Sequence, residues 1–469
     1  MVTTTEPSSG GGAPAGTVEG ILGPLRRRLT IGIVATILLV AFEAMAVATA
    51  MPIAVRDLDG LPLYAWAFSG FFTTSLVGMV VAGELCDRRG PRLPLLAGVA
   101  TFAGGLVVAG LAPSMWPFVL GRATQGLGGG LVIVSVYVVV ARAYPEEIRP
   151  RMFSAMAAAW VLPSIVGPLV AGALADRGLW RVVFLGIVPL VLLPVAMVAP
   201  SLRAVDGPPP TGPVVRRGRL RLALAAAAGM GLLQYAGQRR DLVAVGLLVV
   251  ALSLVVPTVP RLLPRGTLRF ARGLPTVVAM RGVLAGAFFG AEAFVPLMLV
   301  EERGLSATLA GLALTGGALG WAAGSWYQGR PRLHVPRYRL VQVGSGIVAA
   351  GITGMAFVLL PVVPVPVAAL TWTLGAVGMG MSMASIAVLL FELSPPEDQG
   401  ANSAAVQISD ALFSITFVGL GGVIFNATHR PGGDTEPAVF ATIFAVMIAL
   451  ALLGAAVAGR MRPARTGVG

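Results

Sequence analysis

The chain has no lysine, one cysteine and two histidines in 469 residues. Each shortage removes a class of chemistry. A single cysteine, Cys86, closes no intramolecular disulfide and supplies no metal-ligand spacing. His334 and His429 fall in segments read as loops, which leaves imidazole catalysis or a buried metal centre almost no material. No Ser-His arrangement or cluster of ligands supports a membrane enzyme. Charged residues make up 12% of the chain against 56% hydrophobic, with a mean hydropathy of +0.85. Soluble domains carry about 25% charged residues. The composition is that of a polytopic, all-α membrane protein.

Without lysine, the net charge of +13 rests wholly on arginine. These arginines stand in short blocks between apolar spans, a pattern of membrane topology rather than phosphate binding, so no nucleic-acid partner is expected. The first 25 residues, rich in Gly, Ser, Thr and Pro, lack the long apolar core of a cleavable signal peptide and read as a disordered cytoplasmic tail.

A spanning helix needs about 20 apolar residues. Windows of that kind recur at 29–53, 62–85, 93–112, 115–143, 152–175 and 180–200, then at 276–300, 305–327, 338–361, 364–391, 400–425 and 436–459. Two shorter windows, 220–236 and 241–257, lie between the sets and raise the total from twelve to fourteen if both span. An interfacial hairpin there would leave twelve. The implied organisation is a tail (1–28), a six-helix bundle (29–200), a linker with an inserted hairpin (201–275), a second six-helix bundle (276–459) and a tail (460–469). Arginine concentrates in the segments that are inside if the N-terminus is inside, so both termini are expected in the cytoplasm.

Shifting the chain by 250 residues superposes Gly128 on Gly378, Ser135 on Ser385, Pro145 on Pro395, Glu147 on Glu397, Ser164 on Ser414 and Gly172 on Gly422. A parallel repeat of this sort fits a transporter of two six-helix halves with its substrate site between them. The 220–257 pair then becomes an insertion, expected to be peripheral to transport. A non-transporting scaffold is disfavoured by the acids inside the spans. Glu43 lies near the middle of the first span, Glu292 in the ninth and Asp410 in the thirteenth, all three expected at one depth. Such acids are costly in a bilayer and mark ion or substrate pathways. The bland alternative for Glu43 is a protonated carboxyl that hydrogen-bonds a neighbouring helix. Burial disfavours the ionised form, which lets proton capture be coupled to the arrival of a cation.

Four local patterns point to one family. Gly83-Glu-Leu-Cys-Asp87-Arg88-Arg-Gly90-Pro-Arg92 follows the second span, with Asp87 read as able to cap a helix start and Gly90 and Pro91 as the turn. Arg122-Ala-Thr-Gln125-Gly-Leu-Gly128 lies in the fourth span, Gly167-Pro168-Leu-Val-Ala-Gly172 in the fifth, and Glu43 stands nine residues before Pro52 in the first. They resemble, in order, motifs A, B and C of the major facilitator superfamily and the acid of its fourteen-helix drug:proton antiporters. Pro163 stands where motif C has a first Gly, and Ala171 where it has another. The second half's counterpart of motif A, Gly324-Ser-Trp-Tyr-Gln328-Gly-Arg330-Pro-Arg332, has no acid.

The resemblance implies the major facilitator fold, a proton-transfer role for Arg122 and an antiport role for the Gly167–Gly172 stretch. Helix packing alone is the competing account of the glycines, and a structural hydrogen bond that of Arg122. Gln125 and Trp160, which superposes on Asp410, complete the candidate site. The expectation is a monomeric proton-coupled exporter of lipophilic small molecules such as drugs, cationic ones among them, in the cell membrane, driven by the proton gradient without a cofactor. A proton-linked transporter of a native metabolite or lipid is the alternative. A latch is also expected between the Asp87–Arg92 loop and the acidic segment holding Glu397 and Asp398.

Overall fold

A computed structural model describes residues 21–24, 26–145, 147–203, 218–239, 241–330, 333–395, 398–428 and 437–462. The expected all-helical architecture is what they form. The helices are α1 (Arg27–Asp57), α2 (Tyr64–Arg89), α3 (Arg92–Gly110), α4 (Met115–Ala143), α5 (Arg149–Ala158), α6 (Val161–Ala175), α7 (Trp180–Leu185) and α8 (Ile187–Leu202). An inserted pair follows, α9 (Arg219–Gly237) and α10 (Leu242–Leu262). The second set is α11 (Leu274–Glu292), α12 (Val295–Glu301), α13 (Ala307–Gln328), α14 (Arg337–Phe357), α15 (Pro366–Glu392), α16 (Gln399–Thr428) and α17 (Pro437–Val457).

Local chemistry sets the boundaries. Gly90 adopts φ +81°, a left-handed conformation that stops α2, and Pro91 leads into α3. Ser306 and Asp241 cap α13 and α10 by accepting the amides of Leu309 and Ala244. At the α9–α10 turn the exposed Arg239 pairs with Asp241 at 2.5 Å and holds its carboxyl below the usual carboxylate range. Among the described residues Asp87 caps no helix start: it lies in the last turn of α2, exposed, and Pro91 precedes α3, which corrects the expected capping role.

Thirteen helical spans among the described residues are long and apolar enough to cross a membrane, so the protein is a multi-pass membrane protein. Helix α9 would make fourteen. It has 19 residues, but Arg221, Gln234 and three glycines dilute its apolar run. Span 274–301 is interrupted between α11 and α12, at Ala293 and Phe294.

The two halves repeat in packing as in sequence. Helix α4 packs against α2 and α3 as α15 packs against α13 and α14. The superposed Gly128 and Gly378 mark the same close approach in each half. A Cβ on Gly98 would stand 3.0 Å from the Gly128 carbonyl oxygen, and one on Gly344 would stand 2.7 Å from that of Gly378. Small residues at these positions let the helix backbones touch.

Contacts between halves run through α1 and α6 against α13 and through α2 against α16. Polar ties gather at the ends of the spans near Asp57. Arg56 Nε donates to Glu301 at 2.7 Å, Tyr64 Oη to the Ala293 carbonyl at 2.6 Å, and Asn426 Nδ2 to the Pro62 carbonyl at 2.7 Å. Asp176 accepts from the Ala307 amide at 2.7 Å and from Thr308 Oγ1 at 2.6 Å.

The insertion packs against both halves. Helix α9 packs on α2 from one side and α16 from the other, so it lies along their seam, while α10 rests on α9 with an exposed outer face. Ser69 on α2 donates to Gln234 Oε1 at 2.8 Å, and the Gln234 amide fills the space left by Gly419 on α16.

Candidate functional site

Glu43 on α1 and Arg122 on α4 are both buried, and only the protein can satisfy them. Arg122 Nη1 donates to Glu43 Oε1 and, at 2.8 Å, to Gln125 Oε1. Gln125 Nε2 donates to the same Glu43 oxygen at 3.2 Å. Arg122 Nε donates to the Ala67 carbonyl at 3.2 Å, and its guanidinium carbon lies 4.8 Å from the Phe71 ring centre. Three residues singled out in the sequence thus form one network within the first half. A charge at this depth is tolerable because it is paired, hydrogen-bonded and stacked on an aromatic face.

Asp410 is not free. Arg281 on α11 donates through Nε to Asp410 Oδ2 on α16 at 2.6 Å, with both side chains about one-fifth exposed (24% and 19%). Arg281 does not stand out in the sequence. It sits inside an apolar window, and the only signal was that an intramembrane acid needs a counter-charge.

Glu292 differs from both. It is half-buried at the last position of α11, and among the described residues no hydrogen bond or ion pair reaches it. Phe288 and Phe289 lie one turn below, on the same side of the helix. Phe288 stacks on Trp372 at 4.5 Å, Phe289 on Trp321 at 6.5 Å, and Phe72 from the first half meets Phe289 at 6.5 Å. Glu292 and Arg281 are separated by eleven residues of one helix, about 16 Å along its axis. Asp410, tied to Arg281, therefore lies at another level than Glu292, and the expected single depth does not hold.

Of the remaining candidates, Pro163, Gly167, Pro168 and Gly172 serve α6 packing. Gly167 faces Met45 of α1, and Gly172 lies against the backbone of Thr308 in α13, across the halves. Trp160 stands between α5 and α6, 40% exposed and outside the Glu43 network. In the motif A loop, Arg88 pairs with Glu84 of its own helix at 2.6 Å. Gly83, half-buried, has open space beside it, and Arg92 begins α3. Asp398 is exposed just before α16, and Glu397 lies outside the described residues. Sequence reasoning also missed the ties between halves, made by Arg56, Tyr64, Asp176 and Glu301.

Two repeated helical halves with acids inside their spans are the architecture of a membrane transporter, and comparison with known proteins places the chain in such a family. The chain belongs to the Major Facilitator Superfamily, whose family model matches residues 33–418. It is 26% identical over 414 residues to a Mycobacterium tuberculosis protein named "Probable multidrug-efflux transporter", covering 83% of this chain and 85% of that one. With the Bacillus subtilis multidrug transporter protein MdtP it shares 25% identity, covering 86% of this chain and 76% of the relative. Among solved structures, a POT family transporter in complex with a thioalcohol-conjugated peptide superposes with a TM-score of 0.69 over 91% of this chain and 95% of its own. A bacterial homologue of the human lysosomal transporter Spinster, inward-facing and occupied, gives 0.61 over 93% and 96%. Both are 14% identical, a likeness of fold.

Proposed function

We propose that the protein is a proton-coupled exporter of lipophilic, cationic small molecules, working by alternating access in the cell membrane with both termini in the cytoplasm. The observation that carries this reading is the buried Glu43–Arg122–Gln125 network. A proton arriving at Glu43 neutralises the carboxylate and leaves Arg122 a buried charge without its counter-ion. The network then has reason to rearrange, and a switch of this kind is what coupling requires. Relatives named as multidrug transporters support the choice of cargo.

Glu43 is already satisfied by Arg122, so a cationic substrate finds a more accessible acid in Glu292, one turn from Phe289, which is partly exposed and stacks on Trp321. An apolar, aromatic wall with one carboxylate suits a delocalised organic cation. With arginine-rich loops inside, the tied ends near Asp57 face outward. The test is flux in proteoliposomes with a panel of lipophilic cations, tetraphenylphosphonium first. Movement against an imposed proton gradient, abolished when nigericin collapses that gradient, is expected. Uptake or release indifferent to the gradient across the panel overturns the reading.

A further inference from the structure

Away from these acids, the second half carries a positively charged hollow where α14 begins and α15 and α17 end. Its volume is about 440 Å³. His334, Arg337, Tyr338, Arg462 and Glu392 are the polar residues of its wall, and Leu389 and Met461 are among the apolar ones. The guanidiniums here have neutral acceptors. Arg337 Nη1 donates to the Gln328 carbonyl and to Gln328 Oε1, each at 2.6 Å. Arg339 Nε donates to Tyr338 Oη at 3.1 Å, and Arg462 donates to the same phenol oxygen while lying 4.1 Å from its ring centre. Among the described residues, no carboxylate comes within ion-pair distance of Arg337, Arg339 or Arg462.

The sequence supplies the reason for this imbalance. Gln328, the last residue of α13, stands where the first-half motif has Asp87. Arg337 and Arg462 line the hollow against the one carboxylate of Glu392, and Arg339, exposed at its edge and bonded to the same phenol as Arg462, adds a third guanidinium there. At the neighbouring end of α13, Trp326 and Tyr327 are exposed (65% and 41%), and Arg330 lies 3.9 Å from the Trp326 ring centre. Exposed Trp and Tyr at a span's end mark the headgroup level of a bilayer. Basic pockets between helices at that level suit phosphate esters of anionic lipids.

We propose that this hollow is a binding site for the phosphodiester headgroup of an anionic phospholipid, with Arg339 and Arg462 on the phosphate and the glycerol backbone against Leu389 and Met461. The probe is phosphatidylglycerol, added to delipidated full-length protein beside an equal amount of phosphatidylcholine, with adducts counted by native mass spectrometry. Preferential retention of phosphatidylglycerol is expected, falling about fivefold for each arginine removed in Arg339→Gln and Arg462→Gln. Gln328→Asp, which restores a carboxylate beside Arg337, should weaken retention with both arginines intact, so a folding failure in one variant does not decide the matter. Thermal unfolding in phosphatidylcholine alone checks each variant's fold. Equal retention of the two lipids, or retention unchanged in all three variants, overturns the proposal. Displacement of phosphatidylglycerol by millimolar inorganic phosphate identifies a free-phosphate site and overturns the lipid assignment.

Discussion

Arg122 reaches across 79 residues of sequence to donate to Glu43, and Gln125, one turn along α4, binds both partners. The glutamine ties carboxylate and guanidinium into a single unit. Glu43→Gln keeps an acceptor for Arg122 and is expected to insert and fold, but to lose proton-driven flux. Glu43→Ala strands the guanidinium, and truncating one member of a buried pair costs about 3–5 kcal/mol. Thermal unfolding of the purified variants should therefore rank parent, Glu43→Gln and Glu43→Ala in falling order. Gradient-driven transport at the parental rate by Glu43→Gln would remove Glu43 from the coupling step.

The Arg281–Asp410 pair is less buried, and its members occupy adjacent helices of one half. Directly paired charges show coupling of about 0.5–3 kcal/mol in double-mutant cycles. Arg281→Gln and Asp410→Asn are each expected to lower stability, and the double variant by less than their sum. Additive losses would mean that the contact contributes nothing.

These two pairs show what was legible in the sequence and what was not. Spans could be read because a bilayer demands about 20 apolar residues in a row, and Glu43 because a carboxylate in such a run is expensive. Arg281 was hidden by the same rule, since one cation hardly alters a window of apolar residues. The interruption at Ala293 and Phe294 leaves no mark in hydropathy. Nor is the seam position of α9 legible, because its one buried polar residue there, Gln234, does not say which helices it meets. Asp176 is an ordinary loop acid until the fold sets it beneath the amides of Ala307 and Thr308.

Helix α9 gives a sharper test of the insertion. A Cβ on Gly419 would lie 2.1 Å from Gln234 Nε2, so Gly419→Ala must push the amide aside. Overpacking of this kind costs about 1–3 kcal/mol. Adding Gln234→Ala should restore most of the loss. Thermal unfolding of both variants decides it: equal stability of Gly419→Ala and parent would mean that α9 does not sit tightly in the seam. Labelling of a cysteine at Gln238 from outside would show that α9 and α10 span the membrane, and access from the cytoplasm alone would reduce the count of spans.

Asp176 and Arg56 make different kinds of tie between the halves. Arg56 is about half exposed at its tip (51%), and an exposed pair contributes about 0–1 kcal/mol. Asp176 caps the start of α13 from the other half, accepting from two backbone amides and a hydroxyl. Loss of a cap costs about 1 kcal/mol. Asp176→Ala should therefore loosen the ends near Asp57 more than Arg56→Gln does. Distances between spin labels at the ends of α6 and α13 measure it, and the reverse order would show that the cap is not the stronger tie.

The loop at the other end of α2 should matter when those ties open. Here Arg88 turns back onto Glu84, and Asp398 is exposed. If the halves close at this end in another state of the cycle, the arginines from Arg88 to Arg92 meet an acidic segment that holds no arginine, Glu392 to Gly400. Asp87 would then approach the positive end of α16. Reversing Arg88 to Glu removes both its present pair and the later one, so the single variant cannot separate them. Asp398→Arg removes only the later one. Each reversal is expected to raise the inward-open population at low salt, measured by spectroscopic distances between labels at the cytoplasmic ends of α2 and α16. The double reversal should return it toward the parent, and added salt should shrink all three differences because exposed charges are screened beyond about 10 Å at 0.1 M. Identical populations in the parent and all three variants would mean that the acids are merely solvated and no latch forms.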